Sequence, residues 1–326
     1  MGVRRTKALV TGGTGFIGSH VVDCLLENGQ EVRVFSRKTA DREREERAGV
    51  EVFRGDLEDA ASVIEAMEGI EVFYHVGEIK NITRIAADKN LRLVETIVEN
   101  LSEKKIKRFV FVSSITVAGI PSETPATEET RPKIVFSDHY TAYKRTCEEL
   151  LAARPAECEW VIVRPAPVYG PGSRYLGRLI DAIEKLGPVG FPFVGNARNN
   201  APLIYVEDLA KAIFLSGTKD DISGRTFNVT DGVRHSWFDF FQETANNLNT
   251  KLRIVPIPSI LLKLPAVPFD LLAGILGIEL DPVHYLNYFS RDIYFDNSRA
   301  TRLLGWRPEF GLAAGVREMV NSYKSR

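Results

Sequence analysis

The amino-acid sequence predicts an α/β fold in which a doubly wound parallel sheet of the Rossmann type is followed by a smaller C-terminal α/β lobe. Two observations predict the sheet. Short apolar runs alternate with helical patterns through the first half of the chain, and a glycine-rich turn follows the first run. A third observation, a cluster of breaker residues from Pro165 to Gly172, marks the change to the second lobe.

Ten segments before that cluster alternate between the two patterns, which indicates βαβ units joined by right-handed crossovers. Strands are predicted at Lys7–Val10, Glu31–Phe35, Val50–Arg54, Val72–Val76, Arg108–Ser113 and Trp160–Arg164. Helices are predicted at Phe16–Asn28, Ala60–Met67, Arg84–Lys104 and Tyr140–Ala153.

Composition excludes several classes of function. The 326 residues include 42 basic and 43 acidic side chains, so no excess of charge predicts binding to nucleic acid. Three scattered cysteines are too few for a disulfide framework or a metal site. The first residues lead directly into a strand, so we expect no signal peptide and a cytoplasmic protein.

One apolar stretch, Ser259 to Leu280, requires a separate decision. Lys263, Pro268 and Asp270 interrupt it, so it does not predict a transmembrane helix. The favoured interpretation is a pair of helices that covers an apolar substrate cleft, and the alternative is contact with a membrane surface.

A glycine loop follows the first predicted strand, in the segment ALVTGGTGFIG at residues 8–18. Gly12 permits a tight turn, Gly15 lets the backbone approach a pyrophosphate, and Gly18 lets the next helix pack on the strand. The helix N-terminus favours phosphate, since its N–H groups are free. We therefore predict an NAD(P)-binding domain over residues 1–165 and a mainly substrate-binding lobe over 166–326 that partly threads back onto the first. The predicted cofactor contacts of the loop are Gly12, Thr14, Gly15, Phe16, Ile17 and Gly18.

The end of the second strand indicates which dinucleotide binds. An acidic residue there would hold the ribose 2′-hydroxyl, whereas a cation would accommodate a 2′-phosphate. The segment VFSRK places Arg37 and Lys38 after Ser36 and has no acidic residue. This pattern favours NADP. NAD stays open, because Ser36 tolerates either cofactor and two basic side chains are also typical of a plain surface.

The third strand leads into GDL, where Asp56 is positioned to accept a hydrogen bond from the adenine amino group and Leu57 to line the ring. An alternative is that Asp56 caps the helix predicted to begin near Leu57, and the two roles are compatible.

A tyrosine and a lysine in YTAYK form the predicted catalytic pair. Tyr140 and Lys144 are four residues apart and share a helix face, whereas Tyr143 points to a different face. An ammonium about 4 Å away stabilises a phenolate by up to ~4 kcal/mol, which lowers the tyrosine pKa from about 10 toward neutrality. Ser114, at the end of the strand RFVFVSS, is positioned to hold a substrate oxygen, because ligands bind beyond the carboxyl ends of parallel strands.

These features together resemble the extended short-chain dehydrogenase/reductase superfamily, which contains sugar-nucleotide epimerases and dehydratases, hydroxysteroid dehydrogenases and flavonoid reductases. The resemblance runs nearly end to end. Its motifs are TGGTGFIG at 11–18, GDL at 55–57, YHVG at 74–77, VSSITVAG at 112–119, YTAYK at 140–144, RPAPVYGPG at 164–172, YVEDLA at 205–210 and LLGWRP at 303–308.

The resemblance implies hydride transfer at the nicotinamide ring, with Tyr140 as the acid/base. It further implies that Lys144 tunes the tyrosine and holds the ribose, and that Ser114, with Thr116, orients the substrate carbonyl. Val76 and Gly77 are then expected near the nicotinamide ribose, and Pro165 and Val168 near the carboxamide. Asp208 and Trp306, in the last two motifs, are expected to pack or cap rather than catalyse.

Departures from the family pattern favour a branch. The family's asparagine is kept, as Asn90, on the helix after the fourth strand, but Leu93 and Val94 replace the usual small pair. The alternative is that Asn90 is a simple surface or cap residue. Ala201 and Pro202 stand where sugar-nucleotide members carry an arginine. Arg198 lies close to that place but is shifted from it. The aromatic residues Tyr285, Tyr288 and Phe289 agree with an apolar substrate.

The leading hypothesis is an NAD(P)-dependent oxidoreductase of the hydroxysteroid or flavonoid-reductase type that acts on a secondary alcohol or ketone. The main alternative is a nucleotide-sugar epimerase with tightly bound NAD, and a third is a non-catalytic NADP-binding regulator. The partner is expected to be a small, possibly apolar molecule, and the family resemblance implies a homodimer.

Overall fold

The computed structural model describes residues 6–37, 48–80, 83–136, 138–153, 158–258 and 289–325. The predicted α/β class is confirmed, because strands and helices alternate through the first half of the chain. The strands are β1 (Lys7–Thr11), β2 (Glu31–Ser36), β3 (Val50–Arg54), β4 (Val72–His75), β5 (Arg108–Val112), β6 (Ile120–Pro121), β7 (Pro132–Ile134), β8 (Glu159–Pro165), β9 (Val168–Tyr169), β10 (Phe191–Val194), β11 (Ile204–Tyr205), β12 (Arg225–Val229) and β13 (Ile254–Ile257).

Helices cover both faces of the main sheet, and several begin at a side-chain cap. The α-helices are α1 (Phe16–Glu27), α2 (Ala60–Ala66), α3 (Arg84–Asn100), α4 (His139–Ala152), α5 (Arg174–Leu186), α6 (Val206–Thr218), α7 (Trp237–Asn247), α8 (Ser298–Leu304) and α9 (Leu312–Lys324). Asp138 starts α4 by accepting from the Thr141 N–H at 2.8 Å, and Thr83 starts α3 in the same way.

Seven parallel strands form the main sheet in the order β12-β8-β5-β4-β1-β2-β3. The chain winds outward in one direction from β1 to β3 and in the other from β4, so the direction of winding reverses between β1 and β4. A doubly wound sheet binds ligands at this reversal, beyond the carboxyl ends of the strands. The loops that follow β1, β4 and β5 lie at this edge.

The sheet is buried on both faces, as a parallel sheet covered by helices requires. Side chains alternate along β1, so Ala8 and Val10 pack in the core on the α1 side, whereas Leu9 packs on the opposite side with residues of α2 and α3. All five residues of β5 are buried, and so are all four of β4. This burial fixes the strand register and therefore the position of the loops at the carboxyl edge.

The predicted elements of the first half are all present, with small changes at their ends. The largest change is in α3, which ends at Asn100 rather than at Lys104. Turns follow this helix, and Lys105 has a left-handed backbone (φ 57°). The Ile106 N–H then bonds the Leu101 carbonyl at 3.0 Å and turns the chain into β5.

Residues after Pro165 contribute to the main sheet and to a second core. β12 pairs in parallel with β8 at the edge of the sheet, and α6 packs against α1. A separate cluster of buried aromatic side chains joins α7 to the short β10–β13 pair, with Phe193, Trp237 and Phe289 among its members. The residues 259–280 and the aromatic residues Tyr285 and Tyr288, considered from the sequence, lie outside the described residues.

Candidate active site

The glycine loop joins β1 to α1 at a spacing that excludes side chains. Gly12 has φ +70°, and a Cβ on it would lie 2.5 Å from the Cα of Gly77. A Cβ on Gly18 would lie 2.1 Å from the Gly12 carbonyl oxygen, so only glycine lets α1 pack here. A Cβ on Gly15 would meet only the Gly12 oxygen, at 3.1 Å. Gly15 therefore leaves its outer side open to a ligand, and the loop fits the pyrophosphate of a dinucleotide.

The remaining loop positions predicted to bind the cofactor lie around the start of α1. Thr14 precedes the helix, and Phe16 and Ile17 occupy its first turn, which no side chain caps. Uncapped N–H groups at a helix N-terminus attract phosphate oxygens. The geometry of this loop is that of a phosphate site.

The residues expected to choose between NAD and NADP lie at the end of β2. Ser36 is the last residue of the strand and is buried, and Arg37 follows it and is exposed. Lys38 lies outside the described residues. Arg37 is therefore the described cation that stays available to a 2′-phosphate at this place.

Asp56 and Leu57 lie in the turn between β3 and α2, where they are partly buried. The alternative role of Asp56 as a helix cap is wrong. The helix begins at Ala60, and Asp59 caps it by accepting from the Ala61 N–H. Asp56 instead accepts from the Glu58 N–H at 3.1 Å, which holds the turn and orients the carboxylate.

Val76 and Gly77 follow β4, which ends one residue earlier than predicted, at His75. The contact between Gly77 and Gly12 brings the two loops together at the reversal of the sheet. Asn90 holds this loop from α3. Its side-chain oxygen accepts from the Ile79 N–H at 2.9 Å, and its amide nitrogen donates to the Ile79 carbonyl at 3.0 Å. Asn90 is buried, so the alternative of a simple surface or cap residue is wrong.

Ser114 lies at the carboxyl end of β5, where it begins a short 3₁₀ helix (Ile115–Ala118). Its Oγ accepts from the Thr116 N–H at 3.3 Å and from the Thr116 Oγ1 at 3.0 Å. Thr141, at the start of α4, donates in turn to the Thr116 Oγ1 at 3.1 Å. Both lone pairs of Ser114 are thus engaged, so its own hydroxyl proton is left to donate, and the Tyr140 oxygen accepts it.

Tyr140 and Lys144 lie one turn apart on α4, as the sequence predicts, and the Lys144 Nζ is 5.8 Å from the centre of the Tyr140 ring. Lys144 is 3% exposed. Its ammonium donates to the Val112 carbonyl at 2.7 Å and forms an ion pair with Glu78. Ser114, Tyr140 and Lys144 therefore converge from β5 and α4 on the same edge of the sheet.

The pKa of Tyr140 differs from the sequence-based expectation, which was a fall toward neutrality. Burial raises the pKa of this hydroxyl well above its ordinary value, and the negative charges of Glu78 and Asp138 act in the same direction. Ser114 opposes them by a hydrogen bond that favours the phenolate. The expected lowering by Lys144 is wrong for this arrangement, since Glu78 offsets the ammonium charge.

Glu78 is the site residue that sequence reasoning missed. It follows Gly77 in the loop after β4, and its carboxylate contacts both Lys144 and the hydroxyl of Tyr143, which donates at 2.6 Å. Tyr143 therefore lies beside the catalytic pair, although it is on a different helix face from Tyr140. The sequence does contain a pattern that could have indicated Glu78. It is an acidic residue three positions after the end of a buried strand, at the reversal of the sheet.

A second ion pair supports the site from below. Glu148, one turn after Lys144, accepts from the Ser113 hydroxyl at 2.5 Å and from the Arg164 Nε at 2.9 Å. These contacts tie α4 to β5 and β8. They fix the position of Tyr140 relative to Ser114, the neighbour of Ser113.

Pro165 ends β8 and Val168 begins β9, so both lie just beyond the carboxyl edge. The place where sugar-nucleotide members of the superfamily carry an arginine holds Ala201 and Pro202, and both are buried. Arg198, which lies near this place in sequence, stacks on the Phe238 ring with its guanidinium carbon 4.1 Å from the ring centre.

Asp208 and Trp306 contact each other, which agrees with a packing role. The Asp208 carboxylate accepts from the N–H groups of Glu309 and Phe310 at 2.9 and 3.1 Å. The Trp306 Nε1 donates to the Asp208 carbonyl at 2.9 Å. The two motifs thus stabilise each other. None of these hydrogen bonds involves Ser114, Tyr140 or Lys144.

Comparison with known proteins identifies the family. Residues 8–230 match the sequence model of the NAD dependent epimerase/dehydratase family. The chain belongs to this family. It is therefore an NAD-dependent enzyme of the extended short-chain dehydrogenase type, and the predicted nicotinamide cofactor and oxidoreductase class are confirmed. The choice between NADP and NAD stays a prediction.

Similar proteins span nearly the whole chain. The uncharacterized protein y4nG of Sinorhizobium fredii is 29% identical, over 98% of this chain and 78% of its own. The mouse sterol-4-alpha-carboxylate 3-dehydrogenase, decarboxylating, is 26% identical over 97% of this chain and 91% of its own. UDP-glucuronic acid 4-epimerase from Bacillus cereus, solved with NAD, matches with a TM-score of 0.77 at 20% identity, over 98% of this chain and 99% of its own. This last likeness concerns the fold.

Two further findings concern the described residues alone. None of the helices within them combines the length and the apolar character needed to cross a membrane. Within the same residues, no three His, Cys, Asp or Glu side chains are grouped so that they could hold a metal ion.

Proposed function

We propose that this protein oxidises or reduces a secondary alcohol or ketone on a bulky apolar molecule of the hydroxysteroid class, with Tyr140 as the acid/base. The convergence of Ser114, Tyr140 and Lys144 on the carboxyl edge of the sheet carries the proposal. A proton donor, a proton acceptor and a buried cation meet there, within reach of the glycine loop.

In the direction of oxidation, Ser114 donates its hydroxyl proton to the substrate oxygen and holds it beside Tyr140. Tyr140 then takes the proton from the substrate hydroxyl in its ionised form, which its raised pKa makes the minor form below alkaline pH. The nicotinamide ring, when bound, supplies the acceptor for the hydride. Lys144 keeps one N–H beyond the two that Glu78 and the Val112 carbonyl engage, and this N–H is suited to the ribose hydroxyls.

An apolar substrate is favoured over a nucleotide sugar. The position of the diphosphate-binding arginine holds Ala201 and Pro202, and Arg198 is engaged by an aromatic ring. A diphosphate normally needs a bidentate cation at such a place. The mouse relative named above acts, by its name, on a sterol carboxylate. These observations support the dehydrogenase over the epimerase.

The test compares two substrates with the purified protein. We expect NAD(P)⁺ to be reduced in the presence of a 3-hydroxysteroid, with turnover abolished in Tyr140→Phe. UDP-glucose serves as the second substrate. Conversion of UDP-glucose to its epimer with no net reduction of cofactor, and with NAD retained through purification, would reject the dehydrogenase and favour the epimerase.

We also propose a homodimer formed through α3 and α4, on the family resemblance. Ile85, at the start of α3, is 70% exposed, which is consistent with an apolar contact outside the single chain. Sedimentation should give a dimer, and a monomer at high concentration would contradict the proposal.

A further inference from the structure

The carboxylate of Glu78 is the unusual charge of this site. The loop that carries it is held firmly, because Asn90 bonds both the N–H and the carbonyl of Ile79, the next residue. The Glu78 side chain is 33% exposed, whereas that of Lys144 is 3% exposed. The carboxylate therefore reaches inward from the edge of the site to a buried ammonium.

The contacts of Glu78 connect three groups of α4. One carboxylate oxygen pairs with the Lys144 ammonium and accepts from the Tyr143 hydroxyl at 2.6 Å. The Lys144 ammonium lies 5.2 Å from the centre of the Tyr143 ring and 5.8 Å from that of Tyr140. The rings of Tyr140 and Tyr143 meet edge to face with centres 5.6 Å apart. A change at Glu78 should therefore affect Tyr140 in two ways. The charge acts on it directly, and the positions of Lys144 and Tyr143, which lie beside Tyr140, depend on the carboxylate.

We propose that Glu78 is a positioning residue of this active site, whose carboxylate holds Lys144 and Tyr143 in place and determines how strongly the lysine charge acts on Tyr140. The proposal rests on the function proposed above, because it gives Tyr140 the role of acid/base. Its physical basis is that a buried ammonium needs a partner. Glu78 is that partner, and by pairing it weakens the help that Lys144 gives to the phenolate.

The polar and charged groups around Tyr140 come from three parts of the fold. Glu78 faces it from the loop after β4, and Ser114 from the end of β5. Asp138 faces it from the start of α4, and Tyr143 and Lys144 lie beside it on that helix. Of the three charges in this set, two are negative. Removal of either negative charge therefore makes the Tyr140 phenolate easier to form.

Variants at Glu78 and Tyr143 separate the charge of the carboxylate from its hydrogen bond. Glu78→Gln keeps the side-chain size and an acceptor for Tyr143 but removes the negative charge, so Tyr140 should ionise at lower pH. Tyr143→Phe removes a hydrogen bond to the carboxylate but no charge, so the ionisation of Tyr140 should change less. A single charge a few ångströms away shifts a pKa by about one unit or more, so the first effect is the larger.

The experiment titrates Tyr140 directly in the cofactor-free protein. The protein carries tyrosine labelled at Cζ, and the Tyr140 resonance in the nuclear magnetic resonance spectrum is the one lost in Tyr140→Phe. Wild type, Glu78→Gln, Tyr143→Phe and the double variant are titrated with pH. Glu99→Gln, an exposed carboxylate on α3, is the matched control. The same variants are then assayed for alcohol oxidation against pH.

The expected result is a shift of about one pH unit or more to lower pH in Glu78→Gln, a smaller change in Tyr143→Phe, and a double variant that behaves like Glu78→Gln. Glu99→Gln should titrate like wild type. If Glu78→Gln fails to fold, Glu78→Ala, which also removes the charge, is titrated in its place. Identical titrations of Tyr140 in wild type and the variant that lacks the charge would overturn the proposal. Absence of turnover with any alcohol, with these titration shifts intact, would instead reject the proposed function.

Discussion

Two clusters of buried polar groups, one around Asp208 and one around Lys144, differ in how their hydrogen-bonding capacity is used. Each oxygen of the Asp208 carboxylate accepts one hydrogen bond from a backbone N–H group. The Lys144 ammonium has two acceptors for three N–H groups, whereas Ser114 accepts two hydrogen bonds and donates one to Tyr140. Both clusters lie in motifs that the sequence makes equally visible.

The comparison indicates that a buried polar cluster can act on a ligand only where some of its donors or acceptors are left without a protein partner. Around Asp208 the partners come from residues 306–310 of the same chain, and they join two distant segments. Around Lys144 one N–H is left for a ligand. Stability and turnover should therefore separate cleanly when the two clusters are changed. The first two predictions test this separation, and the other two extend it to a buried carboxylate and to the cofactor site.

The largest effect is expected for Tyr140→Phe. Loss of the acid/base should lower kcat by about 10²–10⁴-fold, because proton transfer by a positioned side chain contributes that much. Thermal unfolding should be almost unchanged. Steady-state turnover and Tm measure the two quantities. Tyr323→Phe, which loses a hydrogen bond to Asp181, is the control and should keep its turnover. An active Tyr140→Phe enzyme would remove Tyr140 from the chemistry.

The second prediction concerns the other cluster. Asp208→Ala leaves the N–H groups of Glu309 and Phe310 without an acceptor, at about 1–3 kcal/mol each, while relief of carboxylate burial offsets part of the loss. We expect the free energy of unfolding to fall by about 2 kcal/mol in urea titrations, with kcat per folded molecule unchanged. The exposed neighbour Glu207, replaced by Ala, should cause little change. A fall in kcat without a fall in stability would contradict the division of roles.

The third prediction concerns how the buried carboxyl group of Asp231 makes stability depend on pH. Burial raises the pKa of Asp231 from 3.8 to about 7. The folded state therefore holds this proton more tightly, so the contribution to stability is complete at acidic pH and is lost as pH rises from about 4 through about 7. Asp231→Asn does not titrate. Its free energy of unfolding relative to wild type should rise by about 3 kcal/mol across that window. Asp220→Asn, at an exposed position, should give a flat difference.

The smallest effect is expected for Arg37→Ala, which tests the cofactor site without touching the proton-transfer groups. Loss of one exposed cation that pairs with the 2′-phosphate should weaken NADPH binding by about 10-fold, or about 1.4 kcal/mol, and leave NADH binding unchanged. Titration of nicotinamide fluorescence measures both affinities. A wild-type preference for NADH would show that Arg37 is only a surface residue.

Much of the fold followed from local patterns in the sequence. The alternation of strand and helix located β1 to β5 and β8, and the glycine spacing located the phosphate loop. The i, i+4 spacing placed Tyr140 and Lys144 on one helix face. Two alternatives left open by the sequence were wrong, for different reasons. Asn90 is no surface residue, because it binds the loop at Ile79, 11 residues earlier in the chain. Asp56 does not cap α2, because the cap lies at Asp59, and a shift of three residues leaves the local pattern nearly unchanged.

The sequence by itself predicted the class of fold, the family and the kind of cofactor, and these predictions are confirmed. It also predicted the catalytic tyrosine, lysine and serine, because their positions depend on spacing within one helix and on the end of one strand. The tertiary structure alone decided which charges surround Tyr140. Glu78 and Lys144 are 66 residues apart, and only the pairing of β4 with β5 and the packing of α4 bring them together. A pKa depends on burial and on charges within a few ångströms, and no local periodicity encodes those distances.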